Sequence, residues 1–205
     1  MVSDQPPRRS ARLTSPQALR GYAHPTRLTL MALLRQDGPQ TATQAARAIG
    51  ESVPSCSFHL RQLAKYGLVE QAGGGRGREK PWRATAMTTA WDPASTPDPA
   101  AAAAANALQL ALAQRYFELT GRWVRAQPEE PAEWRTAAQF GDSLLYLTAG
   151  ELHELGGKIE DLLRPYAGRL EDAATRPEGS RLIAFLKLAF PALTAGHGST
   201  PDPGQ

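Results

Sequence analysis

The sequence predicts a mainly α chain with a small β component, an α+β protein, and three observations carry that prediction. Helical-period segments punctuated by Pro, Gly and capping residues fill positions 15–66. Two short strand-like runs then flank the glycine-rich stretch AGGGRGREK (72–80). Finally, AAAAANALQLALAQRYFELTGRWVRAQ opens at Ala101, long enough for a helix of about 28 residues, roughly 40 Å at 1.5 Å per residue.

Residues 1–14 are basic and polar and read as a disordered arm carrying Arg8 and Arg9. A short helix follows from Ser15 to about Ala23. Pro25 both ends it and begins the next helix, because proline disfavours helix for the preceding residue yet suits the first helical position. Leu28, Met31 or Ala32, and Leu34 or Arg35 recur at three-to-four spacing, the mark of a buried face, and Gly38-Pro39 closes that helix. Thr41-Ala-Thr-Gln44 has the form of a capping box and starts a helix to Ile49. Gly50 terminates it, Ser52 caps VPSCSFHLRQLAKYG, and Gly67 stands where a left-handed helix-ending residue is expected. In this last helix Cys56, Leu60 and Leu63 share one face and Ser57 and Arg61 another. Leu68-Val69-Glu70 and Trp82–Thr85 read as a hairpin, so residues 15–91 form a three-helix core followed by two strands.

Residues 92–99, DPASTPDP, form a proline-rich linker. Within the long helix that follows, Leu108, Leu112, Tyr116, Leu119 and Trp123 make one apolar stripe, with Leu110, Phe117 and Val124 beside it. PEEP interrupts this helix. SLLYL (143–147) reads as a strand, Thr148-Ala-Gly-Glu151 is a second capping box, and ELHELGGKIEDLLRPYAGRL is helical. ATRPEGS is a loop, RLIAFLKLAFP reads as a last strand, and residues 193–205 form a disordered tail.

Charge divides the chain. Residues 1–91 carry 13 Lys and Arg against 5 Asp and Glu, whereas residues 92–205 carry 10 against 15. A net +8 half joined to a net −5 half points the first towards a polyanion. No apolar run reaches about 18 residues, so no membrane span is expected. One cysteine, Cys56, excludes an intrachain disulfide and fits a reducing cytoplasm.

These features explain the glycine-rich tip. A helix-turn-helix lays its second helix in the DNA major groove, and a following hairpin with a slim cationic tip reaches the neighbouring phosphates or minor groove. Arg76, Arg78 and Lys80 supply the charge, and glycine lets the backbone approach closely. HPTRLTLMALL, TATQAARAIGESVPSCSFHLRQLAKYGLVEQ and PWRAT together resemble the winged helix-turn-helix repressors of the ArsR type. Ser52, Ser57, His59, Leu60, Leu63 and Gly67 match that family's recognition-helix pattern, while Cys56 replaces its branched aliphatic residue. The resemblance spans residues 15–88 and implies a homodimeric regulator that binds double-stranded DNA, one recognition helix per half-site. It places Ser55, Ser57, Phe58 and Arg61 in the groove and Gln62 and Lys65 near phosphates.

Metal sensing needs clustered thiolates and imidazoles. Cys56 and His59 share one helix but lack a second cysteine, and His24, His153 and His197 are scattered, so neither metal nor cofactor is expected. No phosphate-binding loop, H-E-x-x-H or G-x-S-x-G motif is present, and no enzymatic activity is expected. The stripe Leu108, Leu112, Tyr116, Leu119 and Trp123 reads as a dimer interface, with intrachain packing as the competing use. Residues 133–191 extend beyond the small regulators of the family. Trp123, Trp134, Phe140 and Tyr146 are candidate walls of a pocket for a small organic effector, although core packing explains each ring singly. The competing function is a protein-interaction module that keeps the winged fold without DNA binding.

Overall fold

The computed structural model describes residues 8–73, 80–91 and 98–192. The chain forms two compact units, Met1–Ala138 and Gln139–Gln205.

In the first unit, strand β1 (Arg8–Leu13) precedes helices α1 (Pro16–Tyr22), α2 (Pro25–Gln36), α3 (Ala42–Ile49) and α4 (Val53–Lys65). Each start is capped as its sequence demands. Ser15 Oγ accepts from the Ala18 amide and Ser52 Oγ from the Ser55 amide, both at 3.2 Å. Thr41 and Gln44 form the reciprocal box, and His24 Nδ1 accepts from the Thr26 amide. Such caps contribute about 1 kcal/mol each. Gly50 and Gly67 end α3 and α4 with φ of 71° and 68°, which glycine adopts without steric cost.

One apolar core joins these helices. Leu30, Met31, Cys56, Leu60, Leu63 and Leu68 are fully buried within it. Helix α1 lies so close to the end of α4 that a Cβ on Gly21 would sit 2.2 Å from the Tyr66 ring. Strands β2 (Val69–Gln71) and β3 (Trp82–Ala84) pair antiparallel, with Glu70 opposite Arg83 and an ion pair of 2.7 Å between them. Gln40 bridges to Trp82 through two backbone bonds of 2.9 and 2.8 Å, fastening the α2–α3 connection to the hairpin.

Two elements depart from expectation. Residues 8–13, assigned to a disordered arm, form β1, which pairs in parallel with β4 (Ala86–Trp91) from Arg8↔Ala86 to Leu13↔Trp91. Their basic composition hides a strand whose partner lies 78 residues away in the register. Arg35 anchors β4, donating to the Ala86 carbonyl at 3.0 Å and to Thr89 Oγ1 at 2.6 Å. Residues 1–7, most of the linker (92–97) and the tail (193–205) lie outside the described residues. Asp98 and Pro99, assigned to the linker, instead cap and begin helix α5 (Pro99–Ala126), whose 28 residues match the length read from the sequence. A short helix, α6 (Ala132–Ala137), closes the unit.

The second unit is built around helix α7 (Ala149–Glu171), which starts at the Thr148/Glu151 capping box and continues through Gly156-Gly157 and Pro165. The two strands expected around it do not form: residues 143–147 and 181–191 are neither strand nor helix. A strand exists only through a ladder partner, and no pairing involves these segments among the described residues.

Candidate nucleic-acid interface

Helix α4 divides its residues by angle. At 100° per residue, Cys56, His59, Leu60 and Leu63 fall on one side and are buried. Pro54, Phe58, Arg61 and Lys65 fall opposite and are exposed. Phe58 keeps 50% of its surface in solvent and meets His59 edge-on at 5.2 Å.

Beside this face lies an open groove of about 640 Å³, lined by Thr41, Ala42 and Thr43 of the α3 start, Val53, Ser57 and Arg61 of α4, and Gln71, Lys80 and Trp82 of the hairpin. Among the described residues these walls carry three hydroxyls, two cations and no carboxylate, a chemistry suited to phosphate and base edges. Arg61 lies along the helix, its Nε donating to the Ser57 carbonyl at 3.1 Å.

The structure therefore unites Ser57, Arg61 and Lys80, and places Phe58 and Lys65 on the same outward face of α4. It separates Ser55, which is half-buried and about 160° around the helix from Ser57, so those two serines cannot both face the groove. Gln62 lies on that flank too. Arg76 and Arg78 fall outside the described residues. Thr41, Ala42, Thr43, Val53, Gln71 and Trp82 are the groove-lining residues that the sequence did not single out. The capping box signalled a helix start at Thr41, but only the Gln40–Trp82 bridge brings that start against the hairpin.

Beneath α4, two imidazoles meet: His24 and His59 lie 4.4 Å apart between ring centroids. Burial chiefly, and then Arg27, pushes His24 below its ordinary value of 6.5, against an opposing pull from Glu51. His59 is lowered by burial, His24 and Arg27, again opposed by Glu51. The recognition helix thus rests on neutral rings. Cys56 is fully buried, and burial followed by the Glu51 charge pushes its thiol up, away from the reactive thiolate.

Residues 22–72 match the family model of a helix-turn-helix domain. The matched span runs from the end of α1 through α2, α3, α4 and β2, and so contains the turn, the recognition helix and the first hairpin strand. No curated protein matches the chain. The helix-turn-helix is a DNA-binding regulatory domain, not an enzyme class, and the hairpin behind it gives the α+β architecture of a winged helix. No described helix is long and apolar enough to cross a membrane.

The helical stripe of α5 is divided differently from expectation. Leu108 is fully buried in the core of its own unit, beside Ala104 and Ala105 and against α1, so it is not a free dimer surface. Leu112 packs partly against the same core, and Tyr116, Leu119 and Trp123 are half-buried. The neighbouring line Leu110, Phe117 and Val124, spaced by seven, is exposed at 72%, 75% and 50%. Of the effector candidates, Trp123 and Trp134 are half-buried in the first unit, and Trp123 buries an indole Nε1 that has no hydrogen-bond partner. Phe140 and Tyr146 are exposed residues of the second unit, not walls of an enclosed cavity there.

Proposed function

We propose that this protein is a homodimeric, sequence-specific transcriptional repressor of the ArsR type, occluding a promoter by laying α4 in the major groove. The observation that carries the reading is the groove in which Ser57 and Arg61 stand beside Lys80 and the α3 start, with no carboxylate among its described lining residues. Arg61 reads a base or a phosphate, Ser57 and Thr43 bind backbone or base edges, and Phe58 meets a thymine methyl. The hairpin tip bearing Arg76 and Arg78 tracks the adjacent backbone. Two half-sites require two copies, and Leu110, Phe117 and Val124 are the α5 line available for twofold pairing. Release by a small organic effector completes the proposal. Trp123, with its unpartnered indole nitrogen, is the reporter for it.

Fluorescence anisotropy on DNA from the gene's own upstream region, against scrambled DNA across a salt series, tests this. Selective binding that falls steeply with salt is expected, and Arg61→Ala should weaken it by about 1–3 kcal/mol, roughly fivefold to 150-fold. Binding that ignores both sequence and Arg61 overturns the reading in favour of a protein-interaction module.

A further inference from the structure

The second unit has no core. Among its described residues, 139–192, no side chain is buried, yet five rings (Phe140, Tyr146, Tyr166, Phe185 and Phe190) and nine large aliphatic residues are exposed. Along α7, Leu152, Ile159, Leu163 and Leu170 are half-buried, while Leu155, Leu162 and Tyr166 continue the same broad apolar face into solvent. On either side of the helix, Ser143–Leu147 and Leu182–Leu188 make no backbone–backbone hydrogen bond with described residues. Free ladder groups on apolar segments are templates for strand addition.

We propose that residues 140–190 form a second self-association module, in which the Ser143–Leu147 and Leu182–Leu188 segments pair as strands with those of a second copy and cover α7. The occupant is argued on three grounds. Covering the rings alone would remove on the order of 700 Å² per chain, near the ~800 Å² per partner of a stable interface and beyond the apolar patch a monomer ordinarily exposes. The charge is nearly balanced, with 8 Asp and Glu against 6 Lys and Arg in residues 139–192, and Ser143–Leu147 has no charged residue. Lys158 and Lys187 are already paired with Glu154 and Glu160, so self-pairing meets little like-charge repulsion. Third, and resting on the dimer proposed through α5, this unit begins only 12 residues after α5 ends, so two copies would be tethered at high effective concentration.

Hydrogen exchange read by mass spectrometry on the full chain, from dimer to dilute monomer, tests the module. At least tenfold slowing is expected in both segments when dimeric, lost on dilution. Ile183→Asp combined with Phe185→Asp should abolish protection at Ser143–Leu147 as well, a segment it does not alter. Protection that persists in the monomer means pairing within one chain, and unprotected segments in the dimer mean none; either overturns the proposal. The α5 reading fails separately, if Leu110→Glu with Phe117→Glu leaves both the dimer and DNA affinity unchanged. Protected segments in that variant would leave the C-terminal module standing alone.

Discussion

The two units contain similar apolar residues and use them in opposite ways. In the first, Leu60 of α4 is fully buried among leucines from several elements. In the second, Leu162 of α7 is on an equally regular amphipathic helix and stays 73% exposed. Periodicity made both helices, but burial needed facing stripes. Helix α4 meets α1, α2, α3 and β2, while the element that α7 meets is the short 3-10 turn Ala173–Thr175 directly after it. An amphipathic pattern is thus an offer of burial, and its acceptance depends on how many other elements supply complementary faces.

The largest expected effect breaks the comparison at its core. Leu60→Ala should destabilise the winged domain by about 2–5 kcal/mol in urea unfolding, whereas Leu162→Ala should change monomer stability by less than about 0.5 kcal/mol. If Leu162→Ala costs as much as Leu60→Ala, the second unit has a core of its own and the contrast collapses.

Glycines sharpen the same contrast. Gly21→Ala drives a methyl into the Tyr66 ring and should destabilise by about 1–3 kcal/mol. Gly156→Ala meets no atom within 4 Å and should instead stabilise α7 by about 0.5–1 kcal/mol, read as added helicity by circular dichroism. Opposite signs are the expected result; equal signs would contradict the packing difference.

The smallest effect concerns pH and belongs to the first unit alone. His24 and His59 have folded-state values below 6.5, so the unfolded chain takes up protons first as pH falls. Their contribution is intact above about 6.5 and is lost progressively below it. Unfolding midpoints at pH 7.5 and 5.5 should show this slope, and His24→Asn, which preserves a capping side chain, should flatten it. A midpoint that rises on acidification would show that other groups dominate.

How much of this was legible beforehand depends on the range of the forces involved. The helix starts at Ser15, Thr41, Ser52 and Thr148 follow from side chains that bond their own backbone three residues on. The stops at Gly50 and Gly67 follow from a local left-handed turn. That Ser57 and Arg61 share the outward side of α4 was legible because helical angle is also a short-range property, whereas the meeting of Lys80 with them in one surface groove was not. Ser55 was misplaced by reading the helix as a list of neighbours rather than as a circle. Strands β1 and β4 were illegible, since neither has meaning without the other.

The sequence alone therefore determined α1 to α5 and α7, though not α6, together with the hairpin and the cationic character of the recognition face, all of which rest on contacts within a few residues. Tertiary structure decided which stripe of α5 is buried in the core, that Thr41 and Thr43 join Arg61 in one groove, and that residues 143–147 and 182–188 form no strand pairing among the described residues. Those outcomes depend on competition among faces distant in sequence. A periodic pattern states that a face must be covered; only the assembled neighbours settle what covers it.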